Sequence, residues 1–178
     1  MENNSARQKK VLLDGDVISH FIKGELVDLL PKLFPNRLIL LNIVKTEIYK
    51  RPGWNIIIDN LIKTHVIEEV DFPEEIEFVK EYAHMISGSG LALGKGESAC
   101  MVYCRFNKEI LASSNLKDIQ RYCSYHSIEY ITTADIIYEA HKRELVTEVE
   151  CDTFISKVKS RGSKFPYDTM KELLSNYN

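Results

Sequence analysis

The sequence predicts an open α/β fold, with a central parallel sheet of four or five strands and helices on both faces. Two observations carry that expectation. Short apolar runs bounded by turn residues alternate with helical periodicity from Val11 to about Ala140. The first run, Val11-Leu12-Leu13, passes straight into Asp14-Gly15-Asp16 and then into another apolar segment. Two acids at the end of a buried strand are poor core material, because an unpaired buried charge costs several kcal/mol. They suit the crevice beyond the strand ends of an open α/β sheet.

The elements follow in order. Met1 to Lys10 reads as a flexible, polar lead-in, and residues 11–178 as a single domain. Asp16 can cap a helix over Val17–Lys23. Glu25–Phe34 shows leucines at helical spacing, interrupted by Pro31. Arg37–Leu41 is a short strand, and Asn42 can cap a helix over Ile43–Lys50. Trp54–Ile62 is a further helix, with Ile57, Ile58, Leu61 and Ile62 inward. His65–Val70 reads as a strand. Pro73 opens a helix to about Ser87, with Ile76, Val79, Ala83 and Ile86 as its apolar stripe. Ser87-Gly88-Ser89-Gly90 is a flexible link. Ser98–Arg105 is a helix apolar nearly all round, and therefore central. Glu109–Ala112 and Ser127–Ile131 are strands flanking a helix with Leu116, Ile119, Tyr122 and Cys123 inward. Helices from Thr132, over Val146–Val158 (Val149 among its apolar positions) and over Pro166–Leu174 complete the chain.

Composition narrows the classes. The 178 residues are 44% hydrophobic and 28% charged, ordinary for a globular domain. A net charge of −3 argues against nucleic-acid binding by bulk charge, while leaving room for a local basic patch. No apolar run approaches the roughly 18 residues of a membrane span, and no signal-peptide pattern precedes Val11, so the expectation is a cytoplasmic protein with no membrane partner. The four cysteines form no CxxC pair and have no histidine close by in sequence, which favours core packing over metal binding. Leu93-Gly94-Lys95-Gly96-Glu97 resembles a phosphate loop only superficially. It lacks the GxxxxGK[ST] pattern, and Glu97 would repel a phosphate.

The acids are the residues that call for chemistry. Asp14 ends the first strand; Asn115 and Asp118 follow the penultimate one. If those strands are neighbours where strand order reverses, these groups face one crevice, bordered by the helices that carry Glu47 and Glu97. Glu47 can be a solvated helix-edge acid, a salt-bridged structural acid or a site residue. Glu97, in a first helical turn, can be a capping acid or part of the site. Four carboxylates converging there need a cation to remain ionised together. Oxygen donors without cysteine or histidine suit Mg²⁺ or Mn²⁺, ions that serve phosphodiester hydrolysis.

At these residues the chain resembles the PIN-domain family of metal-dependent ribonucleases, including the VapC-type toxins. The likeness runs through LLDGDV at Val11–Val17, Lys45-Thr46-Glu47-Ile48, GKGESA within Leu93–Ala99, and SSNLKDI at Ser113–Ile119. No single motif is specific; their order and spacing carry it. The resemblance implies a three-layer α/β/α fold. It also implies a site of Asp14, Glu47, Glu97 and Asp118 that is both catalytic and metal-ligating, with Asn115 at the polar position of the last motif. Two departures stand out: some relatives have an aspartate where Asn115 stands, and Ile119 replaces the usual aromatic. Around the site, Asp16 can be a supporting acid or a helix cap. Ser114 can bond Asp14, hold phosphate or cap a turn. Lys95 can hold phosphate, with a solvated position favoured. Lys45, Lys50, Arg51, Lys157, Lys159, Arg161 and Lys164 are rim candidates for RNA. The implied activity is an endoribonuclease, in the toxin setting with an antitoxin protein as partner and a homodimer as its assembly. The alternative is a PIN-like RNA-binding or protein-interaction module without turnover. A phosphatase of small esters, suggested by Asp14-Gly15-Asp16 alone, is the third reading.

Overall fold

The computed structural model describes residues 7–87 and 93–177. Its five-stranded sheet is wholly parallel, in the order β3-β2-β1-β4-β5. The strands are β1 (Val11–Leu13), β2 (Leu38–Leu41), β3 (Ile67–Val70), β4 (Ile110–Ala112) and β5 (Tyr130–Ile131). β1 is central, and each of its three residues is fully buried, as a strand covered on both faces requires. Strand order reverses between β1 and β4. Asp14 and Ser113 thus leave neighbouring strands side by side, and Asp14 N donates to Ala112 O at 3.0 Å.

The parallel strands are joined by helical crossovers, and helices flank the sheet in a PIN-like three-layer α/β/α architecture. α1 (Gly15–Gly24) packs against α9 (Glu148–Ser160). The contact is close: a Cβ on Gly24 would lie 2.1 Å from Cδ2 of Phe154, so only glycine fits there. On the opposite face α6 (Lys95–Asn107) packs between α5 (Ile76–Ser87) and α7 (Leu116–His126). Ala99, Cys100, Met101, Val102 and Cys104 of α6 are buried, which accounts for its apolar sequence. All four cysteines are free and buried. α3 (Asn42–Ile48) starts directly at the end of β2 and reaches α6 along the carboxyl edge of the sheet. The remaining helices are α2 (Leu29–Leu33), α4 (Trp54–Lys63), α8 (Thr133–Lys142) and α10 (Met170–Tyr177). α8 and α9 each open with a capping box, Thr132 with Asp135 and Thr147 with Glu150.

Several local expectations are corrected. The cap of α1 is Asp14, whose side chain accepts from Gly15 N at 2.7 Å; Asp16 lies inside the first turn. Leu41, not Asn42, precedes α3, because Asn42 Nδ2 is drawn to Asp71 at 2.8 Å. α5 begins at Ile76, and its inner face is not the aliphatic stripe: Ile76, Val79 and Ile86 are exposed. Phe78 and Met85 are buried instead. Phe78 packs 4.7 Å from the ring of Phe106, and Tyr82 packs 5.1 Å from Phe72. The aromatic face at i, i+4, i+7 buries more area per residue than the aliphatic one. Ile57, Leu116 and Val149 also face outward. Of the expected lead-in, residues 1–6 lie outside the described residues. Arg7 pairs with the buried Glu109, Lys9 with Glu129 and Lys10 with Glu68. Most of the expected Ser87–Gly90 link falls at residues 88–92, also outside the described residues.

Candidate active site

A cleft of about 480 Å³ opens at the carboxyl edge of the sheet, where strand order reverses. Asp14, Asp16, Glu47, Glu97, Asn115 and Asp118 all line it. Each arrives for a local reason. Asp14 caps α1, and Asp16 follows in the first turn, where the exposed N–H groups of the helix favour an acid. Glu47 comes from α3, and its Oε1 accepts from Gly96 N at 3.1 Å. Gly96 is needed for that approach, since a Cβ there would lie 2.6 Å from Glu47 Oε2. Glu97 and Asp118 stand in the first turns of α6 and α7.

The carboxylates destabilise one another. Burial, then Asp16 and Glu97, raises the Asp14 carboxyl well above its usual range. Burial raises Asp16 as well, against backbone donors from Ser114, Val17 and Asn115. Glu97 is pushed up to about 7 by burial, then by the charges of Asp118 and Asp16. Two buried side-chain oxygens, Asp16 Oδ1 and Ser98 Oγ, have no hydrogen-bond partner among the described residues, and the first of them lies on a cleft acid. A bound cation would offset the charge of all three carboxylates.

The donor set suits a hard cation: five carboxylates line the cleft with no cysteine, and its histidine, His20, is engaged by Thr133. The orphaned Asp16 oxygen supports the fit. Among the described residues, however, no three of these groups stand together at ligating spacing. The oxygens are partly held elsewhere. Asp118 Oδ2 accepts from Asn115 Nδ2 at 2.7 Å, Asp16 Oδ2 from Ser114 N at 2.8 Å, and Glu47 is tied to Gly96. Chemically the set is suited to a metal; spatially it is open.

The supporting residues take definite places. Asp16 is a cleft acid and not the helix cap. Ser114 bonds Asp16 through its backbone and Thr133 through its hydroxyl, 2.8 Å away. Lys95 is exposed and lies outside the cleft lining. The rim cations divide. Lys157 and Arg161 pair with Glu25, Lys159 with Asp168 and Lys45 with Glu69. Arg51 lines the cleft, stacked 5.0 Å from the Trp54 ring. Lys50 and Lys164 are exposed, without an ion pair to any described residue.

Two cleft residues went unmarked in the sequence reading. Lys23 faces Arg51 closely enough that the second charge lowers its pKa, after burial. Its Nζ donates to Ser163 Oγ at 2.7 Å. His20 is buried, bonds Thr133 Oγ1 at 2.9 Å, and has its pKa lowered to about 4 by burial and by Lys23. Their signal was present in the chain: Asp16, His20 and Lys23 follow at i, i+4 and i+7 along one face of α1.

An acidic cleft at the strand-order reversal of a parallel α/β sheet defines a class of small open α/β proteins that place polar chemistry beyond the strand ends. Within that class, the fold is shared with a chain of VapBC-1 from nontypeable Haemophilus influenzae. The superposition has a TM-score of 0.51 and 15% identity, over 69% of this chain and 97% of that one. At that identity the likeness concerns the fold alone. No family model and no curated protein matches the chain. Among the described residues no helix is long and apolar enough to cross a membrane.

Proposed function

We propose that this chain is a metal-dependent endoribonuclease, with RNA crossing the cleft between its acidic floor and the Lys23–Arg51 wall. The observation that carries the reading is the buried trio Asp14, Asp16 and Glu97, each carboxyl raised first by burial, with an orphaned Asp16 oxygen, at the sheet's switch point. Asp14, Glu97 and Asp118 would hold Mg²⁺ or Mn²⁺, with Asp16 and Glu47 adjoining. The ion, when bound, would polarise the phosphoryl oxygens and supply hydroxide. Lys23 and Arg51 are placed to bind a phosphate on the opposite wall. His20, neutral near pH 7, orients Thr133 and through it Ser114. A toxin setting, with an antitoxin partner and a homodimer, is a further part of the proposal and rests on the order of the acidic motifs from Asp14 to Asp118.

The open spacing of the carboxylates favours a second reading, an RNA-binding or protein-interaction module without turnover. One experiment separates the two. Labelled RNA is incubated with Mn²⁺, with Mg²⁺ and with chelator, using wild type and Asp14→Asn, while calorimetry follows Mn²⁺ binding. The nuclease reading expects metal-dependent cleavage and measurable Mn²⁺ affinity, both lost in Asp14→Asn although the variant remains folded. Intact RNA under every condition, with no heat of Mn²⁺ binding, leaves the non-catalytic module.

A further inference from the structure

Beside the acidic cleft lies a second cavity of about 750 Å³, sharing Asp16, His20 and Asn115 with it. Its character is different. The outer wall is the segment Lys164-Phe165-Pro166-Tyr167, and the floor is the end of β5 with Thr132 and Tyr177. Gly162 and Ser163, just upstream in the same segment, line the acidic cleft, so this segment flanks both cavities.

The aromatic lining is organised before any ligand arrives. Phe165 is buried and meets Tyr167 edge-on at 6.4 Å. Tyr177 stacks on Tyr138 at 4.2 Å with an interplanar angle of 15°, and its hydroxyl donates to Asp135. The other oxygen of Asp135 is taken by Thr132 N and Thr132 Oγ1, both at 2.7 Å. Asp135 is therefore satisfied and does not call for a cation; the other carboxylate of the cavity, Asp16, is the one shared with the acidic cleft. What is left for a ligand is ring surface, the hydroxyls of Tyr130 and Tyr167, which bond no described residue, and the unpaired ammonium of Lys164.

We propose that this cavity binds one unstacked nucleobase of the RNA strand, with Lys164 on an adjoining phosphate, next to the phosphodiester held in the acidic cleft. The proposal rests on the ribonuclease reading for its ligand class. Planar π-faces, a few polar edge groups and one cation are the chemistry that takes up single-stranded RNA bases. The volume lies within the range of small-ligand pockets. Continuity through Asp16 and Asn115 places the base adjacent to the acidic floor. A duplex, whose bases are stacked inward, could not deliver one, so the cavity selects single-stranded RNA and a preferred base at one position.

The test is a two-dimensional NMR titration of the chelator-treated chain with each of the four ribonucleoside 5′-monophosphates, beside cleavage mapping on a random RNA pool with Mn²⁺. Saturable shifts at Leu116, Tyr130, Thr132 and Tyr167 are expected for at least one nucleotide. Tyr167→Leu should weaken that binding about fivefold to a hundredfold, by the usual worth of a stacked base. Tyr167→Phe, which keeps the ring, should retain most of it. Lys164→Ala, a surface change that leaves folding alone, should lower the salt slope of single-strand binding by about 0.7. Asp14→Asn should still bind nucleotide. Pocket resonances unmoved by all four nucleotides overturn the proposal, even if RNA is cut. Resonances that move instead with protein concentration assign the cavity to a second chain and overturn it too. Nucleotide bound there without any RNA cleavage upholds the pocket while the nuclease reading fails.

Discussion

Replacing Glu97 by glutamine separates an acid held against its will from an acid that merely caps a helix. In the folded chain Glu97 takes up its proton at about 7, against an ordinary 4.5. Burial is the first cause, followed by the charges of Asp118 and Asp16. The sign follows from linkage: a carboxyl raised on folding contributes fully below about 4.5, and that contribution is lost as pH rises through about 7. At pH 8 and without metal, ionised Glu97 thus weakens the fold. The full shift would correspond to about 3 kcal/mol, and because the carboxylate opens onto the water of the cleft, screening reduces this to about 1–2 kcal/mol. Glu97→Gln should recover that amount at pH 8 in chelator, raising Tm by about 2–8 °C for a chain of this length. At pH 5 roughly a quarter of the gain should survive, since the native carboxyl is then mostly protonated. Saturating Mn²⁺ should reverse the order, because wild type gains binding free energy that the amide cannot match. The assay is thermal unfolding of both proteins at the two pH values, with chelator and with Mn²⁺. A glutamine variant destabilised equally at pH 5 and pH 8 would refute the electrostatic account and leave Glu97 a capping residue.

Three further outcomes are expected. Gly96→Ala puts a methyl 2.6 Å from Glu47 Oε2, the free end of a flexible side chain, so it should push Glu47 off the cleft wall at a cost of under about 1 kcal/mol in denaturant unfolding; a structure of the variant with Glu47 still bonded to residue 96 N would contradict the close approach. Gly24→Ala meets the Phe154 ring at 2.1 Å and should lower Tm by several degrees, whereas an unchanged Tm would mean that α1 and α9 are not packed as described. The imidazole of His20, followed by NMR, should titrate near pH 4; because its folded pKa lies below the unfolded 6.5, it withdraws stability as pH falls from about 6.5 to 4, and a midpoint at 6.5 would show that the ring is not enclosed.

Much of the architecture was legible in the chain itself. Continuous apolar runs such as Val11–Leu13 and Ile110–Ala112 mark strands covered on both faces, and alternation with helical periods leaves a parallel sheet as the simple solution. The acids at the ends of those runs were legible for the same reason, because carboxylates interrupting an apolar strand have nowhere to go but the crevice. Periodicity was less informative where two faces of a helix are both apolar. In α5, Ile76, Val79 and Ile86 lost to Phe78, Tyr82 and Met85, and the decision lay with Phe72 and Phe106, rings from other elements.

The sequence by itself determined the layered α/β class, the central place of β1 and α6, and the set of acids available to one cleft. Those depend on local pattern, on what each short stretch can bury. Tertiary structure alone decided which groups hold which. It gave the free oxygen to Asp16 and the helix cap to Asp14. It tied Glu47 to Gly96 across 49 positions of sequence and spent Lys157 and Arg161 on Glu25. Hydrogen bonds and ion pairs act over a few ångströms between residues far apart in the chain, so their partners are set by the packing of whole elements and leave no periodic trace in the sequence.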